Sequence, residues 1–179
     1  MPPKRLGVDE SSLEKIIQGC SSTMDKLLIM LLSSTGLRAS EACNLKLDDI
    51  ELPKGVLVVR QGKGNKIRHI GLSPKLVTII QAYVDQCHNK TQTPYLLHHR
   101  GIPLTRHGLH RRVMRIGSSV GMPLSPHSLR RSFVTINANK GRPLVMLQIA
   151  CGHSDIKTTR SYCLTSEQEV VEAMQGWDI

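Results

Sequence analysis

The sequence predicts a mainly α-helical fold with one small antiparallel β-sheet, an α+β class. Most segments place apolar residues on one face of a helix, and Asp, Ser, Thr or Pro precedes them where helices begin. One stretch alternates apolar and polar residues around a glycine-rich turn, which favours a hairpin. Because no internal repeat or low-complexity linker divides the 179 residues, we predict a single domain over residues 1–179.

Three helices are predicted before the hairpin. Asp9 is the expected N-cap of a helix whose apolar face contains Leu13, Ile16 and Ile17. Residues 24–32 form a strongly apolar run, which predicts a buried helix that ends near Gly36. Residues 38–45 are helical by composition, so Arg38 lies just past one helix end and opens a new turn.

The hairpin is predicted from two β-prone runs, residues 55–60 and 66–72, on either side of the turn sequence Gly-Lys-Gly-Asn at 62–65. Lys63 would stand at the tip of this turn. After the hairpin, Pro74 predicts the start of a helix that runs to about His88.

A basic helix is predicted after a short extended piece at residues 94–100. Thr105 begins this helix, and one side of it is either solvated or phosphate-facing because it carries Arg106, Arg111, Arg112 and Arg115.

The following helix begins at Ser125 and Pro126, which fit its cap and first position. His127 and Arg130 therefore lie in its first turns, and it ends near Gly141.

The end of the chain is also predicted to be helical. Pro143 opens a helix that Gly152 ends, so His153 lies in the break after it. The next helix carries Tyr162, and residues 166–177 have the pattern of an amphipathic terminal helix.

Composition and charge favour a nucleic-acid partner without proving one. The formal net charge is +10 and the pI is about 9.7, so a positive surface must exist, and polyanions commonly bind such surfaces. Ribosomal, heparin-binding and merely soluble basic proteins share this property. With 40% hydrophobic residues the chain is not disordered. It contains no apolar run near the roughly 20 residues that span a bilayer, so no membrane partner is expected.

Location and metal content are predicted from smaller signals. The start of the sequence lacks the apolar stretch of a secretory signal, which predicts a cytoplasmic protein. The cysteines are odd in number and scattered through apolar segments, which predicts reduced thiols: Cys20, Cys43, Cys87, Cys151 and Cys163. No paired Cys-x-x-Cys or His-x-x-x-His spacing supports a metal site, and no cofactor is expected.

Two arginines and a tyrosine suggest phosphodiester chemistry without a metal. Attack on phosphorus spreads negative charge over the non-bridging oxygens, which guanidinium groups bind in bidentate geometry at any working pH. Arg38 and Arg130 suit that task. Tyr162 is the candidate nucleophile, because a phenol can form a covalent phosphoester that preserves bond energy for rejoining.

Proton transfer calls for further groups. Lys63 can protonate the leaving sugar oxygen, with Lys66 as the second candidate. His127 and His153 can hydrogen-bond the phosphate or shuttle the proton of the nucleophile. Each residue alone has a structural explanation, as a solvated arginine, a helix-capping histidine or a core tyrosine. Their conjunction favours the catalytic interpretation.

Five ordered motifs resemble those of the tyrosine recombinase (phage integrase) family, and the resemblance extends from about residue 8 to residue 177. They are Thr-Gly-Leu-Arg-Ala-Ser-Glu at 35–41, Gly-Lys-Gly-Asn-Lys-Ile-Arg at 62–68, His-Ser-Leu-Arg-Arg-Ser-Phe at 127–133, Gly-His-Ser at 152–154 and Thr-Thr-Arg-Ser-Tyr at 158–162. The chain departs from the family at two positions that supply no catalytic group. Arg131 replaces a histidine found in many members, and Cys151 replaces a leucine.

The resemblance implies a site-specific DNA recombinase with a mainly helical catalytic domain and a small antiparallel sheet. Arg38 and Arg130 would bind the transition state, and His127 and His153 would be the remaining phosphate ligands. Glu41, on the same helical face as Arg38, would support the site by holding an arginine.

The same resemblance assigns the covalent step. Tyr162 would form a 3′-phosphotyrosyl link and free a 5′-hydroxyl, and Lys63 would be the general acid on the hairpin. The outcome would be integration, excision, inversion or resolution of DNA.

Partners follow from the resemblance as well. They are double-stranded DNA, further copies of the chain in a tetramer on that DNA, and accessory DNA-bending proteins. The terminal helix could pack on a neighbouring copy or on its own domain. Additional DNA contacts are expected from the other cations of the motifs and of the basic helix: Lys66, Arg68, Arg106, Arg111, Arg112 and Arg131.

Several alternatives stay open at this point. The N-terminal helical domain usual in the family is expected to be absent, which fits either a fragment of a longer recombinase or a naturally short member. A type IB topoisomerase would use a similar site to relax DNA without paired sites. A catalytically silent regulator would bind DNA without becoming covalently attached.

Overall fold

Seven α-helices, five short strands and two 3-10 helices, Leu47–Asp49 and Leu52–Lys54, lie in the described part of this computed structural model, which comprises residues 7–60, 67–88, 91 and 93–152. The helices are α1 (Glu10–Gln18), α2 (Thr23–Thr35), α3 (Ala39–Asn44), α4 (Pro74–Tyr83), α5 (Arg106–Ser119), α6 (Pro126–Asn139) and α7 (Leu144–Cys151). The strands are β1 (Ile50–Glu51), β2 (Val56–Val59), β3 (Arg68–Gly71), β4 (His98–His99) and β5 (Ile102–Pro103). The predicted class, mainly α with a small antiparallel sheet, is confirmed.

Side-chain caps begin most of these helices. The side chains of Asp9, Ser73, Thr105 and Ser125 each accept a hydrogen bond from a backbone N–H in the first turn of the helix that follows. These contacts satisfy donors that have no partner within the helix. The predicted starts of α1, α4, α5 and α6 are therefore confirmed.

The core is built around α2, which packs against α1, α4, α5 and α6. Five of its apolar side chains are fully buried: Leu27, Leu28, Ile29, Leu31 and Leu32. A helix apolar on almost all sides must be surrounded by other elements. These four helices therefore surround α2. The C-terminal end of α2 leads directly to Arg38.

The predicted hairpin is present as the antiparallel pair β2–β3, in which Val58 lies opposite His69 and Val59 opposite Arg68. β1 pairs with the other edge of β2. The expected turn at 62–65, with Lys63 at its tip, lies outside the described residues.

Three local features differ from the prediction. The helix that starts at Pro74 ends as an α-helix at Tyr83 and continues as a π-helical turn over Val84–His88. β1 was not predicted, and the extended piece at 94–100 includes β4, which forms a small hairpin with β5. Strands of two residues are too short to display a period of two.

No helix within the described ranges combines the length and the apolar character needed to cross a bilayer.

A buried ion pair joins α2 to α5. The Asp25 carboxylate, whose side chain is 3% exposed, accepts a hydrogen bond of 2.6 Å from Nε of Arg112. Arg115 lies 3.5 Å from the second carboxylate oxygen. Arg112 was predicted as a DNA contact, but here its guanidinium forms an ion pair between two helices. An ionised carboxylate in the core requires such a cationic partner.

Asp25→Asn should lower the free energy of unfolding by about 2–3 kcal/mol, because Arg112 would lose its anionic partner in a largely buried position. Chemical denaturation measures this change. The control is Asp48→Asn at an exposed position, where a change within about 0.5 kcal/mol is expected. Equal effects of the two substitutions would contradict a stabilising role for the ion pair.

Candidate active site

A cleft of about 950 Å³ lies where the start of α3, the start of α5 and the start of α6 meet. It brings together three of the predicted site residues, Arg38, His127 and Arg130. The predicted DNA contact Arg106 also lines it. Segments distant in sequence thus contribute cations to one concave surface.

Arg130 is the buried cation of this cleft, with a residue exposure of only 6%. Its Nη1 donates to the carbonyl of Gly36 at the end of α2, and its Nη2 donates to the carbonyl of Cys151 over 2.7 Å. Burial, together with the nearby charge of Arg38, lowers the pKa of Arg130 below its ordinary value. An arginine remains charged at neutral pH even so. The result is a fixed positive charge in a site of reduced hydration.

Arg38 is the more accessible cation, with 31% of its side chain exposed. It is the residue that begins α3, and its backbone N–H donates to Oε2 of Glu41 over 2.8 Å. Its Nη1 donates to Oε1 of Glu41 over 2.8 Å, and its Nη2 donates to the carbonyl of Gly152 over 2.7 Å. The backbone and the side chain of Arg38 are therefore both held in position by hydrogen bonds.

Glu41 also binds a second arginine. Arg68 on β3 donates from Nη1 to Oε1 over 3.0 Å and from Nη2 to Oε2 over 2.7 Å. Burial opposes the ionisation of Glu41, but the hydrogen bonds and charge of Arg68, with the hydrogen bonds of Arg38, lower its pKa below the ordinary value. Glu41 is thus a buried anion between two cations.

The position of Arg68 differs from its predicted role as a DNA contact. Its side chain is 8% exposed and faces Glu41, so it has no open surface for a phosphate. Sequence reasoning could have found this, because Arg68 and Ile70 share one face of a strand and Ile70 is a core residue. A cation on an inward face requires an anionic partner.

Three consecutive carbonyls at the end of α7 each hold a different arginine. Ala150 accepts from Nε of Arg68 over 2.9 Å, Cys151 accepts from Arg130, and Gly152 accepts from Arg38. The last carbonyls of a helix have no partner within it and carry the negative end of its dipole. We call Arg38, Arg68, Arg130 and Glu41 the arginine cluster, and α7 is its anchor.

Glycine is required at the two helix ends that meet this cluster. Gly36 and Gly152 both have a φ of +63°, the left-handed conformation that ends α2 and α7. A Cβ on Gly36 would lie 2.6 Å from Phe133 and 2.9 Å from the sulfur of Cys151. These glycines let the carbonyl-bearing turns approach the arginines closely.

His127 lies in the first turn of α6 and is exposed to the cleft. Partial desolvation, followed by the positive charges of Arg131 and Arg130, lowers its pKa below the ordinary value. This lowered pKa favours the neutral form of the imidazole. A neutral ring can accept a proton from a nucleophile or donate one N–H to a phosphate oxygen.

Four predicted site residues, Lys63, Lys66, His153 and Tyr162, lie outside the described residues. His153 directly follows Gly152 in the sequence, and Lys63 and Lys66 precede β3. The nearest described elements along the chain are thus α7, which precedes His153 and Tyr162, and β3, which carries Arg68 and follows both lysines.

The remaining predicted DNA contacts are spread over α5 and α6. Arg111 lies on a different side of α5 from Arg106, in a shallow groove with Arg115. Arg131 is half-buried and close enough to His127 to influence its charge.

Sequence reasoning missed His107 and His110, which line the cleft from α5. For His110 the available signal was its spacing of four residues from Arg106 on one face of a helix. Among the described residues, no group of three or more His, Cys, Asp or Glu side chains could hold a metal ion.

The sequence pattern of the phage integrase family matches residues 7–169. The chain belongs to this family. Among curated relatives of this phage integrase, tyrosine recombinase XerA of Pyrococcus horikoshii is 35% identical over 177 residues, covering 97% of this chain and 61% of that protein. Tyrosine recombinase XerD of Listeria innocua is 33% identical over 173 residues, covering 89% of this chain and 57% of that protein. The chain thus spans about three fifths of the length of the curated relatives it matches.

Solved structures have the same fold. A crystal structure of XerA recombinase has a TM-score of 0.87 at 25% identity and covers 100% of this chain and 68% of its own. XerH site-specific recombinase bound to its difH substrate, in a pre-cleavage complex, has a TM-score of 0.80 at 27% identity, covering 100% of this chain and 56% of its own. The described phage integrase fold is therefore that of tyrosine recombinases.

Gly36→Ala should lower the free energy of unfolding by about 2–4 kcal/mol, because it adds a steric clash to an unfavourable φ. Gly141→Ala is the matched control, since Gly141 also has a positive φ of +73° but has nothing within 4 Å of an added Cβ. The control should lose only about 1 kcal/mol in chemical denaturation. Equal losses would contradict the close packing of Gly36 on Phe133.

His127 should titrate below its ordinary pKa of 6.5 in the free protein. The unfolded chain then binds this proton more readily. The free energy of unfolding should therefore fall as the pH drops from 6.5 toward the lowered folded pKa. His127→Gln should remove that part of the pH dependence. NMR titration, with the variant identifying the resonance, measures the pKa directly, and a value at or above 6.5 would contradict the environment described.

Proposed function

We propose that this chain cuts and rejoins double-stranded DNA as a site-specific recombinase, through a 3′-phosphotyrosyl intermediate at Tyr162. The observation that carries the proposal is the arginine cluster. Arg38 and Arg130 are held side by side by carbonyls and a buried carboxylate, and both line one cleft with His127. Such preorganised cations bind charge that develops on phosphorus without the cost of rearranging during the reaction.

The charge of the cluster suits the transition state. Three guanidinium groups and one carboxylate leave an excess of two positive charges. A phosphodiester carries one negative charge, and a pentacoordinate phosphorane formed by attack on it carries a second. The cluster therefore favours the transition state over the bound substrate, which is the condition for catalysis.

The bond changes follow from the assigned roles. The Tyr162 oxygen attacks phosphorus, a bond forms between them, and the bond from phosphorus to the 5′-oxygen breaks. Neutral His127 or His153 accepts the phenolic proton, and Lys63 supplies a proton to the leaving 5′-oxygen. Attack by a 5′-hydroxyl on the phosphotyrosine reverses these steps and rejoins DNA.

DNA as the partner is supported by similarity to XerH bound to its difH substrate. Rejoining a different strand requires two duplexes, so we further propose that copies of the chain assemble on DNA as a homo-oligomer, a tetramer when two duplexes are paired. Accessory DNA-bending proteins are proposed partners in the same assembly. The cations proposed to contact DNA outside the reacting phosphate are Arg106, Arg111, Arg131 and Lys66.

The test is covalent capture. The chain is incubated with supercoiled DNA carrying the genomic neighbourhood of its gene, denatured rapidly and examined for DNA-linked protein. The wild-type chain should form an adduct that maps to Tyr162, and Tyr162→Phe should form none because it lacks the nucleophilic oxygen. Tyr95→Phe, which removes a different phenol, is the matched control and should leave the adduct intact.

Three other results would contradict the proposal. Salt-sensitive DNA binding without an adduct would indicate a binding protein. An adduct on another residue would remove the role of Tyr162. An adduct accompanied by relaxation of any plasmid, with no joining between paired sites, would indicate a topoisomerase.

A further inference from the structure

Glu41 is shared unequally between its two arginines. Arg68 binds it in a bidentate, end-on geometry, with Nη1 on one carboxylate oxygen at 3.0 Å and Nη2 on the other at 2.7 Å. The Arg38 side chain reaches only one of those oxygens, at 2.8 Å. Bidentate pairs are among the strong hydrogen-bonded pairs that arginine forms with carboxylates. Arg68 is therefore the principal counter-ion of Glu41.

The two arginines also differ in exposure. The Arg68 side chain is 8% exposed, whereas that of Arg38 is 31% exposed and lines the cleft. A phosphate entering the cleft can reach Arg38 but meets no open face of Arg68. The cation that neutralises the carboxylate is thus hidden, and the cation beside it remains accessible.

Without Arg68, Glu41 would have Arg38 as its remaining arginine partner. The carboxylate could then take both terminal nitrogens of Arg38, which would draw Arg38 away from the Gly152 carbonyl and offset its charge. A phosphate would compete with a buried carboxylate for the same guanidinium, and the cluster would have lost one positive charge.

We propose that Arg68 is a positioning residue, which neutralises Glu41 so that the charge of Arg38 stays available to the reacting phosphate. This role rests on the proposed function, since it concerns how that phosphate is bound. The pKa of Glu41 agrees with this role: burial raises it, and the hydrogen bond from Arg68 lowers it more than either hydrogen bond from Arg38 does.

A second contact fixes the position of the Arg68 side chain. Its Nε donates to the Ala150 carbonyl over 2.9 Å, which ties β3 to the end of α7. The next two carbonyls of that turn hold Arg130 and Arg38. Arg68 therefore fixes both the anion and the helix end on which the other two arginines depend.

The experiment measures phosphate binding to Arg38 without relying on catalysis. Inorganic phosphate is titrated into the ¹⁵N-arginine-labelled chain, and the guanidinium resonance of Arg38, identified by its loss in Arg38→Lys, reports the dissociation constant. Arg68→Met should weaken binding on the order of tenfold, because Glu41 then opposes the phosphate at close range. Arg68→Lys loses the bidentate geometry but retains a positive charge beside Glu41, so affinity should stay within about threefold of wild type.

The decisive variant combines Arg68→Met with Glu41→Gln. If Arg68 acts by neutralising the carboxylate, removing that charge should restore phosphate affinity to within about threefold of wild type. A merely structural role predicts the opposite, since the double variant removes more contacts than the single one. Arg60→Met is the matched control. It removes an arginine that pairs with buried Asp49 outside the cluster, and it should leave phosphate affinity unchanged.

The outcomes separate this inference from the proposed function. Unchanged affinity in Arg68→Met, equal losses in Arg68→Met and Arg68→Lys, or failure of the double variant to recover would each overturn the role of Arg68. Thermal unfolding verifies that each variant is folded, and Arg68→Gln replaces Arg68→Met if the latter is not. Covalent capture with the same set tests the function independently, because a wild-type chain without an adduct would still yield a phosphate titration.

Discussion

The three arginines of the cluster repel one another, and the site depends on the acceptors that hold them together. Glu41 supplies one full negative charge, and the last carbonyls of α7 supply three oriented dipoles. The end of α2 adds the carbonyl of Gly36. Helix ends are effective here because their terminal carbonyls have no partner within the helix. Cations that would separate in water are thereby fixed at hydrogen-bond distance from common anchors.

The same acceptors explain why the arginine cluster lies where the ends of α2 and α7 meet. α2 is buried on nearly all sides, so its left-handed end at Gly36 is held rigidly, and Arg38 begins the next helix two residues later. α7 ends in the same conformation at Gly152, immediately before His153. Two rigid helix ends therefore define the position of the arginines. Folding thus holds like charges together beside the cleft where we propose that a phosphate binds, as expected of a preorganised electrostatic site.

Local signals in the sequence predicted most of the fold. Contacts between side chains that are distant in the sequence were harder to predict. Caps such as Asp9 and Ser125 and the glycines at 36 and 152 mark helix ends by chemistry that acts within a few residues. The convergence of Arg38 and Arg130 was expected from the motifs. The alternation of β3 indicates that Arg68 faces inward, but it does not identify the anionic partner, because Glu41 lies 27 positions away. Arg112 shows the same limit, since its partner Asp25 lies on another helix and charge alone does not distinguish an ion pair from a phosphate contact.

The central claim is that the cleft beside the arginine cluster is the site of the reacting phosphate. It is tested most directly by X-ray diffraction from crystals of the chain soaked with tungstate, a tetrahedral dianion located by its anomalous signal. The strongest peak should lie in the cleft, within hydrogen-bond distance of Arg38 and facing His127, because these groups surround the open side of the cluster. A peak confined to exposed cations such as Arg111 and Arg115 on the other side of α5, with none in the cleft, would contradict it.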